Sequence, residues 1–205
     1  MAVRGADFLW HWHRMARHFL LALSLALLVV PTRAVQPPLE LVGSASAGGR
    51  PVANAVVWLE TSARGSRAPK AVLHQRSLKF APHVLAIRTG TIVDFPNDDR
   101  VFHNVFSFRD GKRFDLGIYP VGATRQVTFS EPGVSRLFCN IHPNMAGYIV
   151  AVDSPWFATS DGDGRFRIAD VEPGTYRWQA WRSNGPIANG SIDVASGAVL
   201  EVAWP

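Results

Sequence analysis

The chain has 205 residues, with 21 Lys and Arg against 16 Asp and Glu, a formal net charge of +5 and one cysteine. That length allows one large or two small domains, and a lone cysteine excludes an intrachain disulfide framework. No basic cluster lies beyond the N-terminal segment, which argues against nucleic acid as a partner.

Met1 to Arg17 carries Arg4, Arg14 and Arg17 with one acid, Asp7, and a twelve-residue apolar run from Phe19 to Val30 follows. Pro31-Thr32-Arg33-Ala34 then places small residues where a signal peptidase reads. A positive head, an apolar core and a small-residue exit describe a secretory signal peptide over 1–34. The run falls short of the roughly 20 residues that cross a bilayer as a helix. The expectation is therefore a mature chain starting at Val35, without a stable membrane span, in the periplasm; a retained anchor is the alternative. Cleavage removes four of 21 basic residues and one of 16 acids, leaving 17 − 15 = +2. His11, His13 and His18 leave with it and are poor ligand candidates.

Leu39 to Ala45 alternates weakly, Gly48-Gly49-Arg50-Pro51 breaks the pattern, and Ala55 to Glu60 forms the next strand. Two strands around a Gly-Gly turn predict a hairpin. Residues 62–69 are polar and aperiodic, a linker. Strands are predicted at Val72–Gln75, Phe80–Ile87, Ile92–Phe95, Val105–Phe108, Gln126–Phe129, Ser135–Cys139 and Ala146–Val152. Further on, turn-then-strand patterns cover Thr159–Ile168 and Val171–Trp181, and Ser191–Val194 and Val199–Ala203 supply two more strands. Short strands at close spacing without helical periodicity predict an all-β sandwich class.

The chemistry concentrates in Cys139-Asn140-Ile141-His142-Pro143-Asn144-Met145, a C-x2-H-x2-M loop. A lone cysteine is ordinarily a buried small hydrophobe, but His142 three residues on and Met145 three beyond that reverse the reading in favour of a metal ligand. Thiolate and thioether favour Cu(I), imidazole accepts either oxidation state, and two His with one Cys and a weak axial Met is an electron-transfer copper set. His103, between the loop Pro96–Phe102 and an apolar strand, supplies the second imidazole.

Other features take blander readings. His74 and His83 are not expected to ligate. Asp98-Asp99-Arg100 reads as a solvated loop tip near the metal. Asp161-Gly162-Asp163-Gly164 lacks the later carboxylates of a calcium loop and reads as a tight turn. Trp156, Trp178, Trp181 and Trp204 are expected to pack in a core rather than form a sugar-stacking face. No Ser-His-Asp set, phosphate loop or paired carboxylates stand out, and a four-ligand site leaves no open position, so an enzyme is not expected.

From Phe80 to Val152 these residues resemble the cupredoxins, the type 1 blue copper proteins, with a ligand loop similar to those of amicyanin and pseudoazurin. The resemblance implies a Greek-key β-sandwich over 70–153 holding one copper. His103, Cys139 and His142 would form a trigonal plane, with Met145 at long axial distance. Asn104 would tie the two ligand loops together by hydrogen bonds, and Pro143 would support His142 from outside. It also implies transient redox partners, a dehydrogenase, an oxidase or a cytochrome, docking at the His142 edge beside Pro143, Asn144 and Ala146. The chain's two ends, 35–62 and 154–205, resemble the carboxypeptidase-regulatory-like or carbohydrate-binding-like, transthyretin-like small β-sandwiches. The implied arrangement is one discontinuous sandwich, with Trp58 and Trp178 in a single core and the copper domain inserted. Nearly the whole mature chain also resembles bacterial methylamine-utilisation-like proteins. Two rival functions remain: a periplasmic copper carrier or chaperone, and a glycan or cell-surface binding module with accessory copper.

Overall fold

The computed structural model describes residues 37–62, 70–108 and 111–205. The expected signal peptide over 1–34 and nearly all of the 62–69 linker lie outside the described residues. Those described are all β, and no helix among them is long and apolar enough to cross a membrane.

The chain's two ends build two sheets. In the first, β1 (Leu39–Ala47) runs parallel to β18 (Val199–Trp204) and antiparallel to β15 (Arg165–Val171), and it folds back on the two-residue β2 (Arg50–Pro51). In the second, the order is β14 (Phe157–Thr159), β3 (Val56–Leu59), β16 (Gly174–Trp181) and β17 (Ala188–Val194). The Gly48-Gly49 turn thus closes only the short β1–β2 pair. The predicted hairpin between Leu39–Ala45 and Ala55–Glu60 does not form, because β3 belongs to the other sheet. Leu41, Val57, Leu59, Phe166, Ile168, Ala180, Leu200, Val202, Trp156 and Trp204 fill the core between these sheets.

The middle of the chain builds the sheets that carry the predicted ligands. One has the order β10 (Phe114–Tyr119), β9 (His103–Ser107), β12 (Gly133–Phe138), β13 (Ala146–Val152) and β7 (Val84–Arg88). Opposite lie β11 (Thr124–Phe129), β8 (Thr91–Pro96) and β4 (Lys70–Val72), with a hairpin of β5 (His74–Arg76) and β6 (Lys79–Ala81) beside them. Strand alternation sends Val105, Leu137 and Ile149 inward against Val93, Phe95, Val127 and Phe129. Strands β10 and β14 fall in stretches where the sequence predicted none.

A third cluster lies on the other face of the five-stranded sheet. Val84, Val150 and Val152 pack there against Val56 and Trp181, with Trp58 and Tyr148 alongside. This corrects the expectation that Trp58 and Trp178 share a core. β16 pairs with β3 so that Trp178 faces Leu59 and Gln179 faces Trp58. Side chains of successive residues on a strand point to opposite faces. Trp178 therefore packs on the first core and Trp58 in the third cluster. The other tryptophans among the described residues are interior, with Trp156 and Trp181 at 8% exposure and Trp204 at 4%. Asp161-Gly162-Asp163-Gly164 is a turn closed on itself, as expected: Asp161 Oδ1 accepts from the amides of Asp163 and Arg165, and Gly164 sits at φ +77°.

Candidate metal centre

Strand β12 ends at Phe138 and β13 begins at Ala146, so the seven residues from Cys139 to Met145 form the loop that joins two paired strands. Phe138 opposes both Ala146 on β13 and Phe106 on β9. This pairing brings the start of β9, with His103, to the same end of the sheet as Cys139. Within the loop Pro143 and Asn144 form an exposed turn, closed by a hydrogen bond from the Met145 amide to the His142 carbonyl at 2.9 Å.

His103, Cys139 and His142 form the one group of three His, Cys, Asp or Glu side chains with metal-holding spacing among the described residues, their donor atoms within 4.8 Å of one another. Both imidazoles turn Nδ1 toward the same sulfur: Cys139 Sγ lies 3.5 Å from Nδ1 of His142 and 3.8 Å from Nδ1 of His103. The two rings meet at 60° with centroids 4.8 Å apart. His103 is fully buried, Cys139 is 5% exposed and His142 is half-buried. Met145 is buried in the same core cluster as Cys139, Leu137 and Ile149. His74 and His83 lie outside the group, as expected. His74 pairs with Asp98, and the His83 ring meets Tyr148 edge-on at 5.6 Å.

Asn104 joins the two candidate ligand segments two ways and ties them to β10 by a third contact. Its backbone N–H points at Cys139 Sγ at 3.5 Å, its Oδ1 accepts from the Asn140 amide at 3.4 Å, and its Nδ2 donates to Asp115 Oδ1 at 2.7 Å. Asp115 Oδ1 also accepts from the Gly117 amide, where β10 bulges and Gly117 takes φ +65°. Sequence reasoning missed Asp115 because it missed β10. Pro143 makes no comparable contact; it shapes the exposed turn beside His142.

Asp99 is the larger miss. The tip Asp98-Asp99-Arg100 does carry exposed Asp98 and Arg100, but the Asp99 carboxylate turns inward, only 14% exposed. Its Oδ2 lies 2.8 Å from Nε2 of His103. Burial opposes its charge, but hydrogen bonds from the amides of Leu78 and Ser77 and from His103 outweigh that and hold the carboxyl below its ordinary range. An ionised carboxylate only accepts, so His103 donates through Nε2–H, and in the neutral ring that leaves Nδ1, which faces Cys139, without a proton. An acid four residues before a candidate ligand was the only signal in the sequence.

Beneath the site Tyr119, opposite His103 on β10, is fully buried. Its hydroxyl donates to the Phe95 carbonyl at 3.1 Å and accepts from Gln75 Nε2. Burial pushes its pKa up to about 12, with the Gln75 hydrogen bond and Arg125 opposing and Cys139 adding to the rise.

Residues 156–202 match the family model described as polysaccharide lyase family 4, domain II. A search of the curated proteins finds no match. Among solved structures, the chain is similar to a purple cupredoxin from Nitrosopumilus maritimus, at 28% identity and a TM-score of 0.37 over 40% of this chain and 99% of that one. It is also similar to a copper-containing nitrite reductase from Thermus scotoductus SA-01, at 24% identity and a TM-score of 0.40 over 46% of this chain and 25% of that one. A reduced amicyanin variant matches at 18% identity and a TM-score of 0.36, over 47% of this chain and 98% of that one.

Proposed function

We propose that this protein is a cupredoxin-like type 1 copper protein that carries single electrons between redox partners. The observation behind this reading is the donor set: one buried cysteine sulfur with two imidazole Nδ1 atoms facing it at 3.5 and 3.8 Å. Bonds of about 2.0–2.3 Å from thiolate and imidazole to one ion, opened to about 120°, set such donors about 3.7 Å apart. The spacing fits one metal ion in a trigonal arrangement, and the soft thiolate with two imidazoles fits copper. His103, Cys139 and His142 would hold it, with Met145 as the weak fourth donor. Bound copper would supply a one-electron couple between Cu(II) and Cu(I).

The chain's own residues keep that site fixed. Asp99 holds the His103 tautomer, Asn104 pins both ligand segments, and the loop is anchored at each end by a paired strand. Ligands held this way need little rearrangement, as a carrier requires. The half-buried His142 edge, with exposed Ile141, Pro143 and Asn144 beside it, is the docking side for a transient redox partner. A copper carrier would need to open its site, and 0% and 5% exposure at His103 and Cys139 favour retention instead.

Residues 35–62 with 154–205 form, in this reading, an accessory carbohydrate-binding-like sandwich around the copper domain at 70–153, with export to the periplasm after cleavage near Val35. The interior positions of Trp156, Trp181 and Trp204 argue against a sugar-stacking face built from the four tryptophans, of which Trp178 alone is partly exposed.

Titrating the full chain with Cu(II) tests the reading. One equivalent should give an intense visible charge-transfer band, and Cys139→Ser should abolish it while leaving the far-ultraviolet circular dichroism unchanged. A band that survives Cys139→Ser refutes the thiolate ligand.

A further inference from the structure

The hairpin β5–β6 turns through only two residues, since Arg76 opposes Lys79. Both turn residues take positive φ, +55° at Ser77 and +58° at Leu78. Such turns match strand twist but favour Asn-Gly, because a side chain resists the left-handed conformation. Leu78 is 48% exposed, so its burial does not hold the turn in place. The Asp99 carboxylate does. Its Oδ1 accepts from the Ser77 amide at 2.7 Å, and its Oδ2 from the Leu78 amide at 2.8 Å and from His103 Nε2. Two successive amides in this conformation make a small concave anion seat. The seat is tied down beside it: the Asp98 amide donates to the Gln75 carbonyl at 3.0 Å, and the Asp99 amide to Asn97 Oδ1 at 3.1 Å.

We propose that the Ser77–Leu78 turn is a positioning element of the metal centre, its two amides fixing the tautomer and ring of His103 through the shared Asp99 carboxylate. The proposal rests on the copper reading only for its purpose; the mechanical link exists in the protein without metal. A carboxylate held by His103 alone could rotate about its side chain. With both oxygens seated on the turn, it offers the imidazole one direction, and strain in the turn is compensated by the charge it binds.

The test uses the full chain without copper, labelled with 15N at histidine, at mildly alkaline pH where imidazole is neutral. In the wild type, His103 should show a single tautomer with Nε2 protonated. Inserting two glycines between Ser77 and Leu78 dissolves the seat but leaves Asp99 and His103 chemically intact, and His103 should then show mixed tautomers. Replacing the turn with Ser77→Asn and Leu78→Gly keeps both amides and should preserve the single tautomer. In Asp99→Asn the Leu78 amide should exchange at least about tenfold faster. An insertion variant with the wild-type His103 signature overturns the proposal, as does an Asn-Gly turn that loses it. Should the insertion variant fail to fold, the Asn-Gly turn must raise Tm more in the Asp99→Asn background than in the wild type; equal gains overturn the proposal. Copper addition separates the two readings. A single His103 tautomer without a visible copper band sinks the copper reading alone.

Discussion

Tyr119→Phe removes one oxygen from a fully buried network, and the structure sets how its effect depends on pH. At neutral pH the change removes the donor to the Phe95 carbonyl and the acceptor for Gln75. Gln75 Nε2 keeps the Pro96 carbonyl at 3.3 Å, so the loss should be about 1–2 kcal/mol. At alkaline pH the sign reverses. The folded phenol, with its pKa raised from 10.0 to about 12 chiefly by burial, holds its proton where the unfolded phenol releases it. Its contribution is complete below about pH 10 and is lost as pH rises toward 12. At about 1.36 kcal/mol per pKa unit, the wild type gives up about 2–3 kcal/mol across that window. The phenylalanine variant lacks this term. Urea denaturation of copper-free protein at a series of pH values should therefore show two curves that converge and cross near about pH 11. Other tyrosines, lysines and arginines titrate in both proteins and cancel in the difference. Curves that stay parallel from pH 8 to 12 would mean the buried phenol ionises as it does in water, refuting the account of this network.

Asn104→Ala removes one donor to the Asp115 carboxylate, which keeps the Gly117 amide, and the acceptor of the Asn140 amide. It should lower stability by about 1–2 kcal/mol by denaturant titration and speed exchange of the Asn140 amide. Met145→Leu should keep copper bound and raise the potential, while Met145→Gln, a harder oxygen donor, should lower it; voltammetry without a shift in either variant, copper confirmed, would reduce Met145 to a packing residue. N-terminal sequencing of exported protein should begin at or near Val35, and recovery of Met1 in membranes would contradict cleavage.

The candidate ligands on the loop were legible because Cys139, His142 and Met145 lie close together in the chain, and three-residue spacing is visible without knowing any tertiary contact. His103 was found by its place at the mouth of a strand. Asn104 apart, what supports these residues was missed, since Asp99 and Asp115 each depend on an element not predicted from the sequence. Asp99 depends on the Ser77–Leu78 turn, and neither of those residues is a usual signal for φ above zero. Asp115 depends on β10, where a register shift between Asp115 and Ile118 breaks the alternation. The sequence does carry a period-two pattern there, Phe114, Leu116 and Ile118 alternating with Asp115 and Gly117, although Ile118 ends up 60% exposed. β14 is a three-residue edge strand, too short for any period to show. The hairpin predicted from Gly48-Gly49 failed for the opposite reason. Local turn chemistry was read correctly, but β1 finds its longer partners at β15 and β18, more than a hundred residues away.

The two-faced strands explain how the outer sandwich bears on the candidate metal site. β13 starts directly after Met145, so whatever fixes β13 fixes one end of the Cys139–Met145 loop. Ile149 and Ala151 point into the core beneath Cys139, while Val150 and Val152 point the other way, against Val56 and Trp181. β3 repeats the pattern: Val57 and Leu59 face the core of the terminal sandwich, and Val56 and Trp58 face β13. Even the backbone leaves no slack there, since a Cβ on Gly147 would lie 3.0 Å from Phe80 Cβ and 3.1 Å from the His83 carbonyl. A strand clamped on both faces is poorly placed to shift, and interiors packed at this density transmit displacement rather than absorb it. The chain's two ends therefore contribute stiffness to the loop that holds Cys139, His142 and Met145. That contribution comes from packing alone and requires no ligand of their own.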